Sequence, residues 1–183
     1  MSLPLLTVPE FFCTLPSTKK KIKFRPFLVK EEKILLMALE SEQSEDIQVA
    51  VINILNACLL TKLNIEHLPN FDIEYLFLQI RSKSVGEIIE LRLLHEACEE
   101  YTSSSIEVDK IEVTGIEEAN PVIMLTDTLG IKMKFPSMNI TQNIKDDLTD
   151  GEKLFELINN CVDCVFEEEE TFEDFTKEAQ RGS

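Results

Sequence analysis

Glycine, proline and histidine are all scarce here: 183 residues hold five, seven and two of them. Among five glycines there is no P-loop and no dinucleotide fingerprint, so nucleotide chemistry lacks its usual phosphate cradle. The two histidines, His67 and His95, lie in no recognisable nucleophile–base motif, which leaves acyl transfer poorly supplied. With 44% hydrophobic and 28% charged residues, collagen-like and low-complexity architectures are excluded, and the length allows one substantial core or a core with a smaller appendage. Basic residues are also few. Lys and Arg number 18 against 34 Asp and Glu, and the net charge of −16 argues against wrapping nucleic acid or coating an anionic membrane. No apolar run approaches membrane-spanning length, and Met1 to Pro9 has neither a basic n-region nor a signal-length apolar stretch. The expectation is a protein made and kept in a cytoplasm. Five cysteines, at 13, 58, 98, 161 and 164, are an odd and scattered set that reads as reduced thiols rather than a disulfide framework.

The charge is polarised along the chain. Residues 1–33 carry seven Lys or Arg against three Glu, a balance of +4, which leaves −20 on the other 150 residues. Lys19, Lys20, Lys21, Lys23 and Arg25 alternate in part with Ile22, Phe24 and Phe27 in a strand-like rhythm. That patch suits an acidic partner surface; the ordinary alternative is a solvated strand face beside a lysine-rich turn. At the opposite pole, Glu167–Glu170 with Glu173 and Asp174 reads as a mobile acidic segment, since consecutive carboxylates repel and do not converge on one ion.

The pattern predicts an α+β protein. An N-terminal β-hairpin spans 9–28 around the turn Ser17–Lys20, with Pro26 weakening its second strand. A helical layer follows over 29–82: one helix from Val29 to Leu39, a nearly all-round buried helix from Ile47 to Leu60, and a third after Asn70 that ends near Ser82. A small antiparallel sheet is expected over 85–136, from segments 87–94, 106–113, 121–125 and 131–135, with Leu129-Gly130 as a turn. A C-terminal helix over 150–165 would place Leu154, Leu157, Ile158, Cys161 and Val165 on one apolar face. Residues 1–165 read as a single domain and 166–183 as an acidic, mobile tail in which Phe172 and Phe175 find no core; the closing Arg181 to Ser183 has no structural logic.

Three blocks carry a family resemblance. They are Leu15–Ser41 (LPSTKKKIKFRPFLVKEEKILLMALES), Phe71–Leu91 (FDIEYLFLQIRSKSVGEIIEL) and Met133–Met138 (MKFPSM). In order and spacing they resemble the baseplate hub subunit family of T-even-type contractile-tailed phages, over most of residues 10–165. The resemblance implies a role in phage tail morphogenesis, as a hub subunit or a hub assembly factor, with no catalytic reaction and no cofactor. It implies other phage baseplate hub or tail proteins as partners, with homo-oligomerisation left open, and no nucleic acid or membrane. Host cytoplasm during assembly, and the virion tail baseplate for an incorporated subunit, are the implied locations. The runner-up is a chaperone for hub or tape-measure segments. Two departures stand out: one cysteine only between Leu91 and Ile106, where relatives often carry a pair, and a chain that ends soon after Phe175, where relatives are expected to continue in helix.

Of the chemical constellations, His95-x-x-Cys98 with Cys161-x-x-Cys164 has the residue types of a tetrahedral zinc site, the basis of an alternative reading as a small zinc-binding module. Buried or half-exposed free thiols are the competing explanation, and no metal site is assigned. Asp127, Asp146, Asp147 and Asp150 read as turn and cap residues. For partner binding, Phe11, Phe12, Phe24, Phe27, Tyr75 and Phe77 are the aromatic side chains able to anchor a partner where exposed, most being expected in the core; the residues chosen are Lys20, Lys21, Lys23, Phe24, Arg25 and Phe27, with Lys30, Glu31 and Glu32 as a polar rim.

Overall fold

Alternation builds the first element. Strands β1 (Phe11–Thr14) and β2 (Lys21–Phe24) pair antiparallel, with Phe11 opposite Phe24 and Cys13 opposite Ile22. Side chains of a strand point alternately to its two faces, so Cys13, Ile22 and Phe24 are buried while Phe12, Thr14 and Lys21 face solvent. The turn closes with the Leu15 N–H donating to the Lys20 carbonyl at 2.9 Å, and Lys19 takes the left-handed conformation at φ 56° that this reversal demands. The strands are shorter than the expected 9–28 because Pro26 has no N–H to continue a ladder.

The computed structural model describes residues 8–95, 98, 100–117, 119, 121–145, 147–167 and 170–172. Its chain resolves into two compact units, Met1–Ile65 with Phe71–Val113 and Glu66–Asn70 with Thr114–Ser183.

In the first unit, helices α1 (Val29–Glu40), α2 (Ser44–Cys58) and α3 (Asn70–Ser84) follow the hairpin. Glu31 opens α1: its carboxylate accepts the Leu28 N–H at 2.7 Å and Arg25 Nη2 at 2.9 Å. The Arg25 backbone N–H in turn donates to the Cys58 carbonyl at 3.0 Å, and Leu60 donates to the Lys23 carbonyl at 2.9 Å, so the end of α2 runs on beside β2. Asp72, fully buried on α3, accepts the Ser17 N–H at 3.1 Å and the Ser17 hydroxyl, tying the hairpin turn to α3. Leu15, Ile22 and Phe24 join Ile54, Leu55 and Cys58 of α2 and Ile73, Leu76 and Ile80 of α3 among the buried residues. Contrary to the all-round burial expected of it, α2 buries one stripe only: Asn53, Asn56 and Ala57 are exposed, as polar side chains on the outer face require.

Strands β3 (Ile88–His95) and β4 (Glu100–Glu107) form a two-stranded antiparallel sheet of their own. The strand expected over 106–113 is corrected. It lies earlier, and a 3-10 turn at Val108–Lys110 ends it because Val108 turns inward to full burial, its N–H donating to the Glu87 carbonyl at 2.8 Å.

The second unit holds a four-stranded antiparallel meander of β5 (Val122–Met124), β6 (Leu129–Met133), β7 (Val162–Glu167) and β8 (Glu170–Phe172), paired in chain order. Helices α4 (Met138–Gln142) and α5 (Asp150–Asn160) lie in the chain between β6 and β7. Thr149 caps α5: Glu152 Oε2 accepts the Thr149 N–H at 2.9 Å, a reciprocal capping box. Two sequence expectations fail here. Leu129-Gly130 is strand, not turn, and the reversal falls at 125–128, where the Leu125 and Thr126 N–H groups bond the Leu129 carbonyl. Gly130 is needed because it sits opposite Phe166, and a Cβ there would lie 2.3 Å from the ring's Cζ. The helix expected over 150–165 stops at Asn160, and 162–167 becomes β7, since β-branched residues there find an open β6 edge to pair with. Of the expected acidic tail, Phe166, Glu167 and Glu170–Phe172 are strand, while 168, 169 and 173–183, Phe175 and Arg181–Ser183 included, lie outside the described residues.

The Arg25–Glu31 pair makes stability sensitive to acid. Burial by itself pushes the Glu31 carboxyl up, but the Arg25 hydrogen bond, the Leu28 N–H and the charges of Arg25 and Lys30 outweigh it and hold the group below its ordinary value. A depressed carboxyl stabilises fully above its unfolded pKa of about 4.3 and loses that contribution as pH falls through the folded value. In urea titrations followed by circular dichroism from pH 7 to 3, Glu31→Gln is expected to flatten the acid limb, and an unchanged limb would refute the pair's role. Arg25→Met, which leaves the buried carboxylate only the exposed Lys30 ammonium at 3.4 Å as a charged partner, is expected to cost about 1–3 kcal/mol at pH 7. Gly130→Val is expected to cost about 1–3 kcal/mol through displacement of the Phe166 ring, read as a lower thermal midpoint; a midpoint equal to the parent's would show that the ring moves aside freely.

Candidate functional site

The outward face of the N-terminal hairpin is the first candidate surface. Lys20 and Lys21 are exposed, and the Lys21 ammonium lies 4.5 Å from the ring centroid of Phe12, an aromatic side chain left 56% exposed. Such a stack desolvates little of the cation and keeps both groups available at the surface. Lys23 is half-exposed and ion-paired with Glu10 at 2.5 Å. Hairpin parity separates these lysines from the other residues chosen from sequence. Phe24 and Phe27, expected among the contact residues, are packed in the core instead, at 1% and 9% exposure. Arg25 points to Glu31 and to the Pro26 carbonyl at 2.8 Å, so its guanidinium organises the chain. Of the expected rim, Lys30 and Glu32 are exposed and Glu31 is buried.

Of the aromatic candidates, the choice of Phe24 and Phe27 passed over Phe12, which is the one left exposed: it stands opposite Lys23 in the register, on the lysine face. Also missed was the outer side of α1, where Val29, Leu36 and Met37 are exposed, Val29 at 80%. Their positions, seven and eight residues apart, fall on one face of a helix whose buried side carries Glu31 and Ala38.

The zinc candidates are divided. His95 and Cys98 lie at the tip of the β3–β4 hairpin, with Sγ 3.2 Å from Nδ1. Cys161 ends α5 and Cys164 lies within β7. Among the described residues no group of three or more His, Cys, Asp or Glu is placed to hold a metal ion. Burial pushes the Cys13 thiol up to about 11, and the Cys58 thiol likewise to about 11 despite the Arg25 charge, so both stay protonated at neutral pH. Cys161 is raised too, by burial against an opposing pull from Lys134. Asp150 opens α5 and Asp127 sits in the β5–β6 reversal; Asp146 lies outside the described residues.

No helix among the described residues is long and apolar enough to cross a membrane. Comparison with curated proteins and with solved structures returns no match. A family model described as T4 bacteriophage base plate protein matches residues 8–181, from the hairpin through the β5–β8 sheet. A match over nearly the whole length settles the kinship: the chain belongs to the T4 bacteriophage base plate protein family.

Proposed function

We propose that this base plate protein acts by protein–protein association in assembly of the central baseplate hub, as a hub subunit or as a hub assembly factor, and that it catalyses no reaction. The observation that carries the reading is the hairpin face, where Lys20, Lys21 and Phe12 are exposed together in a chain whose remaining 150 residues are strongly acidic. Partners are other hub or tail proteins with acidic surfaces, met in the host cytoplasm during assembly. The lysines accelerate encounter through long-range attraction, and apolar area slows release. Presence of the protein in purified virion tails separates a subunit from a factor.

A second reading, a chaperone that covers apolar hub or tape-measure segments, draws support from the exposed Val29, Leu36 and Met37 of α1. The two readings place the energy differently, in the cationic hairpin or in the apolar helix.

The test is co-expression with the hub and tape-measure proteins of the phage, followed by association kinetics on the purified complex. Reversing Lys20, Lys21 and Lys23 to Glu is expected to slow association by at least about tenfold at low salt, with the difference shrinking above about 0.15 M, where charges are screened beyond about 8 Å. Equal on-rates for variant and parent at low ionic strength would remove the hairpin from the interface.

A further inference from the structure

The β3–β4 hairpin has an open edge with a defined polarity. Every residue of β4 is exposed, and its sheet contains two strands only. A two-stranded sheet is marginal in water, and open edges are commonly guarded by lysine, proline or a bulge. From Tyr101 to Ile106 the sequence YTSSSI supplies no such guard, and its register against β3 runs unbroken.

The direction of the free backbone groups follows from one hydrogen bond. Val108 donates to Glu87 directly across the hairpin at 2.8 Å, which makes these two a hydrogen-bonded pair in continuation of the ladder. Antiparallel ladders alternate hydrogen-bonded and non-bonded pairs. Ile89 with Ile106, Leu91 with Ser104 and Leu93 with Thr102 are therefore bonded pairs, and the backbone groups of Tyr101, Ser103, Ser105 and Glu107 point away from β3. No strand among the described residues pairs with them.

We propose that this outer edge of β4 takes up an extended segment of another protein, antiparallel to β4, uncharged and alternately apolar along its middle, and basic at its C-terminal end. Antiparallel pairing is the more stable per residue, and charge sets which end of the segment is basic. At the tip end of β4 the exposed Glu100 makes no ion pair among the described residues, whereas at the far end Glu107 is already paired with Lys110 at 2.8 Å. An antiparallel segment has its C-terminus at the tip, so cationic residues there meet the acidic end. Its alternate apolar side chains extend the face that carries Leu93 and Ile106, both exposed. A second copy is the poorer occupant, since each brings a charge of −16 and no basic residue between 100 and 107. The edge is separate from the lysine face of the first hairpin, and the inference stands without it.

Fluorescence anisotropy with the full chain tests this. The probe is a fluorescein-labelled peptide of alternating threonine and valine that ends in two lysines, set beside the same peptide ending in two glutamates and one N-methylated at alternate residues. Saturable binding of the lysine-ended peptide is expected, about tenfold weaker for the glutamate-ended one, and lost for the N-methylated one. Ser103→Pro with Ser105→Pro removes only outward donors, which an edge strand tolerates, and is expected to abolish binding with the far-ultraviolet dichroism unchanged. Reversal of Lys20, Lys21 and Lys23 is expected to leave the affinity within about twofold, which keeps this surface distinct from the hairpin reading. Equal affinity for both charged peptides, binding indifferent to N-methylation, no binding at millimolar peptide, or sedimentation showing that the parent self-associates through this edge would each overturn the proposal.

Discussion

One buried carboxylate organises the start of this protein. Glu31 holds Arg25 on one oxygen and the Leu28 N–H on the other, and Arg25 binds the last carbonyl of α2 through its own backbone. The end of β2, the beginning of α1 and the end of α2 therefore meet at one ion pair. A lone carboxylate in that position would be costly to desolvate, and the neighbouring donors are what make it tolerable. Asp72 plays a comparable part for the turn, gripping Ser17 from α3. The orientation of the lysine face is thus inherited from two acids that no solvent reaches.

The regular elements of the first unit were largely legible from sequence, because their hydrophobic periods are unambiguous. Hairpin, α1, α2 and α3 lie close to where the patterns of 2 and 3.6 residues place them. Misreadings fall where local preference and partner availability disagree. The 101–106 stretch has three serines running between its strand formers Tyr101, Thr102 and Ile106, which dilutes the β signature, yet it forms most of β4. Leu154 to Val165 satisfies a helical period throughout, yet its last third pairs with β6. Gly130 looks like a turn residue until its neighbour across the sheet is known to be Phe166. Of the candidate site, the lysines were legible as a charge pattern. The inward direction of Phe24 follows from the same alternation that puts Lys21 and Lys23 outside; burial of Phe27, which lies beyond β2, does not.

Exposed apolar area is distributed over separate elements, on α1, on the β3–β4 hairpin and on α5, where Phe155 is 73% exposed. A monomer that showed these faces without compensation would self-associate; a net charge of −16 opposes that by repulsion between copies. Repulsion of that kind weakens contact between copies without opposing contact with a neutral or basic surface.

The sheet of the second unit has its central pairing, β6 with β7, between strands separated in the chain by both short helices. Pairings of that span close late in folding, after the hairpins on either side. Every described residue of the β1–β2 hairpin and of the β4 edge precedes Thr114, so synthesis from the N-terminus makes both before the strands of the last sheet. A nascent chain therefore offers its basic hairpin and its open strand to the surroundings while that sheet is still unmade.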